Sequence, residues 1–329
     1  MSPRAWIAFA AVSTLWGIPY LFIKVAVDDG VPPAFLAWVR VLLGGIVLLA
    51  LAWSAGVLAP LQGRWRWLSI FAVVEIVIPF PLIAAGEQHV SSSLAAIIVA
   101  AAPLFVALLA LRFDDDERVQ GSRLGGLLLG LAGVVALVGI DATGSREELI
   151  AAGAILLSAF CYAVGPMILK RRLADLDPRA SMGGALAVAA VLLTPPALVA
   201  PPAAAPSGEA IASLVVLGVF CTAAAFAFYG ALVAEAGPGR ALVITYIAPV
   251  VAVALGVAIL GERPGAGAAA GLLLILAGSW LATGGRMPPG WRWPVATRAR
   301  RDAPKARRER RTPAPPSHEP ACLTAPDGG

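Results

Sequence analysis

Apolar residues run along this chain in blocks of about twenty, separated by short polar or charged breaks, and the pattern holds from Ala5 to Gly284. The blocks fall near 5–27, 33–54, 67–86, 91–111, 122–140, 149–169, 180–200, 210–234, 241–260 and 266–284. At 1.5 Å per residue, a helix of ~20 residues crosses a hydrocarbon core of ~30 Å. The pattern therefore predicts an all-α membrane protein of about ten transmembrane helices. The block at 180–200 is interrupted by Thr194-Pro195-Pro196. Proline within a membrane helix is tolerated where neighbours satisfy the freed backbone groups. Trp6, Trp53, Trp65, Trp67 and Trp280 gather at block ends, as an interfacial aromatic belt requires.

Shifting the chain by 146 residues without a gap exposes an internal repeat. Lys24 falls on Lys170, Phe80 on Phe226, Ala102-Pro103 on Ala248-Pro249, Asp116 on Glu262 and Gly125 on Gly271. Each repeat holds five blocks, 5–140 and 149–284. Five is odd, so the second repeat enters the membrane from the opposite face. Two inverted five-helix repeats are a transporter architecture, with the solute site near the midplane between them.

Composition agrees. The chain is 59% hydrophobic and 14% charged, with mean hydropathy +0.82, against roughly 25% charged in a soluble domain. The net charge of +5 does not point to nucleic acid, because ten of the 25 basic residues lie from Arg286 onward and most others flank apolar blocks. With the N-terminus in the cytoplasm, eleven basic residues outside the tail lie on the cytoplasmic side and three, Lys24, Arg146 and Arg263, on the other. This bias places both termini in the cytoplasm of a plasma membrane protein. The first block is read as a membrane helix and not a cleaved leader, because it continues to Val27 without a cleavage region. Residues 285–329 form a basic Pro/Ala-rich tail expected to be disordered. It is either solvated or laid on the anionic leaflet beside Trp291 and Trp293. Cys161, Cys221 and Cys322 make no disulfide framework.

Two polar side chains sit deep in apolar blocks. Glu75 lies ~12 Å from the inner edge and Arg40 ~10 Å from the outer edge at helical rise. An ionised group at mid-membrane costs about 2.5–3.5 kcal/mol on insertion scales, so such residues are functional candidates. Glu75 is read as a proton-coupling or substrate-amine site, or as a glutamic acid satisfied by a neighbouring helix. Arg40 is read as pairing with Glu75, receiving a substrate carboxylate, or snorkelling to the interface. Trp16, Tyr20, Tyr162, Tyr229 and Tyr246 either line a central cavity with amphipathic rings or serve helix packing. Pro103 and Pro249 either kink matching helices around that site or are ordinary membrane-helix prolines. Lys24, Lys170 and Glu262 are read as span-end anchors and His89 as a loop residue. No HExxH, P-loop or dinucleotide motif occurs, no metal cluster is expected, and no cofactor is implied.

Several of these residues resemble a known family. Trp16-Gly17 with Lys24, and the run from Gly86-Glu87-Gln88-His89 through Ser91-Ser92-Ser93 to Pro103, resemble the EamA domain of the drug/metabolite transporter superfamily. The second half repeats the pattern in Tyr162 to Lys170, Gly237 to Pro249, and Gly261-Glu262 followed by Gly271. The resemblance covers about residues 5–285. It implies ten helices in two inverted repeats and a secondary transporter, exporting or exchanging metabolites, amino acids or drugs by alternating access. The partners it implies are a small-molecule solute, protons and membrane lipid, with a homodimer allowed. One departure is the run Asp114-Asp115-Asp116-Glu117, where the family carries a single acid after glycine. The rival readings are a membrane-embedded enzyme acting on a lipid and a non-transporting receptor or scaffold.

Overall fold

The computed structural model describes residues 2–113, 122–141, 145–236 and 243–282. The tail 285–329, the acidic run Asp114 to Glu117 and Cys322 lie outside them. The described residues are mainly helical, joined by short turns and loops. Seven helices among them are long and apolar enough to span a bilayer by length and composition, and Leu124–Leu137, Ile244–Leu260 and Ala266–Ala282 are shorter apolar helices. The described residues thus form an α bundle of about ten helices in two inverted five-helix repeats.

The first span is α1 (Pro3–Gly17) followed by α2 (Pro19–Asp28), and the second is α3 (Pro33–Ser54). The third is α4 (Trp65–Ala72), a π-helical segment (Val73–Val77) and α5 (Pro79–Glu87). The fourth is α6 (Ser92–Val99) with α7 (Ala102–Phe113), and the fifth is α8 (Ser122–Asp141). The second repeat begins with α9 (Arg146–Arg172) and α10 (Pro178–Val199). It continues with α11 (Gly208–Val215), a π segment (Val216–Ala224) and α12 (Ala225–Ala236), then α13 (Ile244–Leu260) and α14 (Ala266–Ala282).

Local sequence sets the helix starts. Ser2, Ser91, Ser145 and Ser207 each accept the N–H of the residue three further on, satisfying donors that the first turn leaves open. Pro33 and Pro178 stand at first helical positions, where a missing N–H costs nothing. Pro195 and Pro196 are absorbed within α10. Beside them the Thr194 hydroxyl donates to the Ala190 carbonyl and accepts the Trp38 indole N–H.

The repeat is visible in the packing. Equivalent spans lie against each other: α3 against α10, α8 against α14, and α6 against α13. At one end of the bundle Arg64 pairs with Asp175 at 2.6 Å. At the other, Asp29 accepts the Ser207 N–H at 2.9 Å, and the 146-residue shift carries Asp29 onto Asp175.

Glycine makes the α8–α14 seam possible. A Cβ on Gly278 would overlap the Gly130 backbone and one on Gly133 would strike Leu274. Small residues that let backbones approach are how helices associate in lipid, where no hydrophobic force drives them together. Gly278→Leu is therefore expected to destabilise the protein by at least ~1–3 kcal/mol through overpacking. Thermal unfolding in detergent measures it, and an unchanged melting temperature would contradict this seam. The lipid-facing surface is apolar, with Val135, Leu273 and Val199 among the exposed side chains.

Candidate functional site

Both π segments lie at the same place in the repeat. The shift of 146 carries Val73–Val77 onto 219–223, inside Val216–Ala224. In the third span the cause is readable: Pro79 has no N–H to return to the carbonyl four residues back, so Ile78 bonds instead to Val73 at 3.0 Å. In the eighth span the Thr222 hydroxyl donates to the Leu217 carbonyl at 2.8 Å. Such bulges turn side chains off the regular helical face and recur at functional sites.

The first bulge carries Glu75 and presents it to α9. Its carboxyl Oε2 is buried and has no hydrogen-bond partner among the described residues. The carboxyl occupies space that a Cβ on Gly165 would need. Cys161, Tyr162 and Tyr229 lie within electrostatic reach of it. Trp16 closes this side, tilted on Tyr229 with ring centroids 4.9 Å apart and edge-on to Phe226 at 5.7 Å. An aromatic wall beside a lone carboxyl is a setting for an organic cation.

Arg40 is buried on α3, 8% exposed. Its guanidinium lies 4.0 Å from the centroid of the Phe80 ring, and its Nε donates to Thr222 at 3.0 Å. Gly44 and Gly218 permit this close approach, since a Cβ at either would meet the facing helix. The structure does not bring Arg40 into an ion pair with Glu75, nor does Arg40 snorkel. Ion pairs among the described residues include Lys24–Asp28, Arg64–Asp175 and Arg179–Asp177. Similar depth gave the two side chains a common height but not a common direction. Tyr162 links them, within electrostatic reach of both Arg40 and Glu75. Tyr20 lies within reach of Arg40 as well.

The remaining candidates fall at the edge of this site. Tyr246 packs in the cluster of Trp16 and Tyr229 and donates its hydroxyl to the Ser279 carbonyl. Pro249 sits inside α13, whereas Pro103 follows a break and restarts the fourth span as α7. Thr222 and Gly165 had no signal in the sequence. Phe80 had one, its pairing with Phe226 at the repeat shift.

Glu262 is more than an anchor. The Ser92 and Ser93 N–H groups donate to its carboxylate at 2.8 and 3.0 Å, and the Ser93 hydroxyl donates to it too. The second repeat thereby caps a helix of the first, with negative charge at a helix N-terminus. Burial alone would raise the Glu262 pKa, but the bonds from Ser93 and Ser92 outweigh it and hold the group below its usual range. A depressed folded pKa contributes stability above the unfolded value, lost as pH falls through the folded one. Glu262→Gln is accordingly expected to cost ~1 kcal/mol near neutrality, as a helix cap does. The difference from wild type should shrink below pH ~4.5, the ordinary glutamate range. Thermal melts across pH test this, and a constant difference down to strong acid would contradict it. Beside this cap lies a depression of about 280 Å³ lined by His89, Ser91, Ser93, Glu148 and Arg263 among others.

Comparison with known proteins gives a consistent result. Residues 4–139 and again 149–284 match the profile of the EamA-like transporter family. An uncharacterized inner membrane transporter of Escherichia coli, YedA, is 30% identical over 78% of this chain and 82% of its own length. An uncharacterized transporter of Archaeoglobus fulgidus is 24% identical over 86% of this chain and 98% of its own. A protein of Streptantibioticus cattleyicolor named "Probable terminal-alkyne amino-acid exporter" is 27% identical over 85% and 93%. A solved crystal structure, 23% identical, covers 86% of this chain and 98% of its own with a TM-score of 0.63, which supports the fold.

Proposed function

The chain belongs to the EamA-like transporter family of the drug/metabolite transporter superfamily, and from that premise we propose that it exports or exchanges small amine-bearing metabolites, amino acids foremost, by alternating access between its two repeats. The observation that carries this reading is the lone Glu75 carboxyl on a π bulge, seated between the repeats beside an aromatic wall. A solute ammonium replaces the partner this carboxyl lacks, and Trp16 and Tyr229 flank it. Arg40, on the far side of Tyr162, receives a solute carboxylate as a charge-assisted, bidentate bond. The relative named as an amino-acid exporter supports the same class. Solute gradients or proton gradients drive the cycle, since no nucleotide-binding motif occurs in the chain.

The basic bias of eleven to three supports both termini on the cytoplasmic side of the plasma membrane. Membership in a transporter family weighs against the reading as an enzyme acting on lipid, and the unpartnered carboxyl weighs against a passive scaffold. The test is counterflow in proteoliposomes loaded singly with labelled amino acids, primary amines and amine-free carboxylates. Uptake restricted to amine-bearing solutes is expected. Uptake of amine-free carboxylates alone would overturn the assignment of Glu75.

A further inference from the structure

Glu87 closes the third span at the end of the bundle that also holds Asp28 and Glu262. Its side chain is wholly buried, at 0% exposure, and neither carboxyl oxygen has a hydrogen-bond partner among the described residues. The nearest ammonium is occupied elsewhere. Lys24 Nζ bonds Asp28 at 2.8 Å and donates to the Glu87 backbone carbonyl at 2.9 Å, so it sits on the peptide of Glu87 while its charge faces Asp28. The Asp28 side chain is 57% exposed and that of Lys24 is 21% exposed. The three groups therefore form a graded line from water to the interior.

The other groups that reach Glu87 are Tyr20 on α2, Arg40 on α3 and Glu262 in the loop before α14. Helix α9, packed along the same span, brings Ala151 and Ile155 against Gly86, and Glu148 of its first turn lines the neighbouring depression with His89 and Arg263. Glu262 is the group that caps α6 through Ser92 and Ser93, and Ser93 also lines the polar depression. One carboxyl thus stands between Lys24 and the carboxylate that caps α6.

We propose that Glu87 is a proton-binding site of the transport cycle, with Lys24 transferring from Asp28 to the Glu87 carboxylate when the proton leaves. This rests on the reading of the chain as a transporter, and it separates the proton site from the solute site at Glu75. With Glu87 protonated, the arrangement is the one seen: Lys24 on Asp28 and Glu262 on the α6 N-terminus. Loss of the proton to water breaks the carboxyl O–H and leaves an anion in an unpaired, buried position, which is costly. The anion draws Lys24 inward and repels Glu262. The cap on α6 then loosens and this end opens. Proton binding reverses each step.

The test needs no solute, so a failed solute assignment leaves it intact. The full chain in phosphatidylethanolamine–phosphatidylglycerol liposomes is compared in acid and alkaline buffer by infrared difference spectroscopy. Deuterium exchange of the amides from Val90 to Ala96, corrected for intrinsic rate, is followed in parallel. Wild type is expected to lose a protonated-carboxyl C=O band as pH rises, while amide exchange increases about tenfold through local opening. Glu87→Gln should lack that band and show flat exchange. Glu75→Gln, Asp28→Asn and Glu262→Gln should each keep it. Lys24→Met, with the carboxyl left in place, should keep the band and lose the opening. The proposal is overturned if the band persists unchanged in folded Glu87→Gln, if wild type has no such band, or if Lys24→Met opens as wild type does. Should Glu87→Gln fail to fold, the Lys24→Met result decides.

Discussion

Replacing Glu75 with glutamine is expected to lower exchange and gradient-driven uptake of an amine-bearing solute together, by about 10–100-fold, while leaving insertion and melting temperature near wild type. The size follows from one lost charge-assisted hydrogen bond, about 1.5–3 kcal/mol. The fold should tolerate the change because Oε2 makes no hydrogen bond that glutamine would break. Glutamine also keeps the shape seated against Gly165. Three measurements on one purified variant separate the roles. Exchange that survives while proton-driven accumulation fails would make Glu75 a coupling group and not a solute ligand. A variant that inserts poorly or melts early would make it structural. Wild-type behaviour in all three would remove Glu75 from the mechanism and leave the rings of Trp16, Tyr162 and Tyr229 as the recognition surface.

Much of the fold was legible because lipid imposes a simple rule: each span must be apolar and long enough to cross. All ten expected spans meet a helix in the structure. The internal repeat was legible too, from prolines, lysines and acids matched at one offset. What the pattern could not carry was azimuth. Arg40 and Glu75 share a depth, yet Arg40 turns to Phe80 and Thr222 while Glu75 turns to Gly165. The helix irregularities were hidden for a related reason. Pro79 foretells a disturbance in the third span, but the matching position in the eighth is Ala225, and there the π segment goes with the Thr222 hydroxyl bonded to the Leu217 carbonyl. Glu87 entered only as part of the family-like run, because an acid just past the end of an apolar block carries no sign of its own burial. Only the neighbouring helices bury it.

On the proposed reading, the asymmetry between the repeats assigns recognition mainly to the first. The shift that superposes the repeats sends Glu75 to Cys221, Arg40 to Leu186 and Gly165 to Pro19. Both charges of the central site therefore belong to the first repeat, while the second supplies surfaces for them in Thr222, Tyr162 and Gly165. A gene-duplicated frame gives two equivalent pairs of helices, and one pair has kept or gained polarity. An alternating-access cycle needs the frame to be symmetric, so that two end states have similar energy. It does not need the ligands to be.

Arg40→Met should dissociate function from stability most sharply. A buried ion without a counter-charge carries a desolvation cost that its stacking on Phe80 and its bond to Thr222 offset only in part. Methionine nearly matches the length of the stem and fills the space over the ring. The melting temperature is therefore expected to stay the same or rise. Transport of a carboxylate-bearing solute should fall by about 10–100-fold, the value of one charged hydrogen bond. Arg40→Lys should fall between the two, because lysine keeps the charge but loses the planar fork and the stacking face. Thr222→Val should cost less than either, since it removes an orienting partner and not the charge. The decisive comparison is uptake of an amino acid against that of the corresponding amine lacking the carboxylate. If Arg40 receives that carboxylate, Arg40→Met abolishes the preference for the amino acid while the amine is carried as before. An equal loss for both solutes, with a lowered melting temperature, would return Arg40 to a packing role.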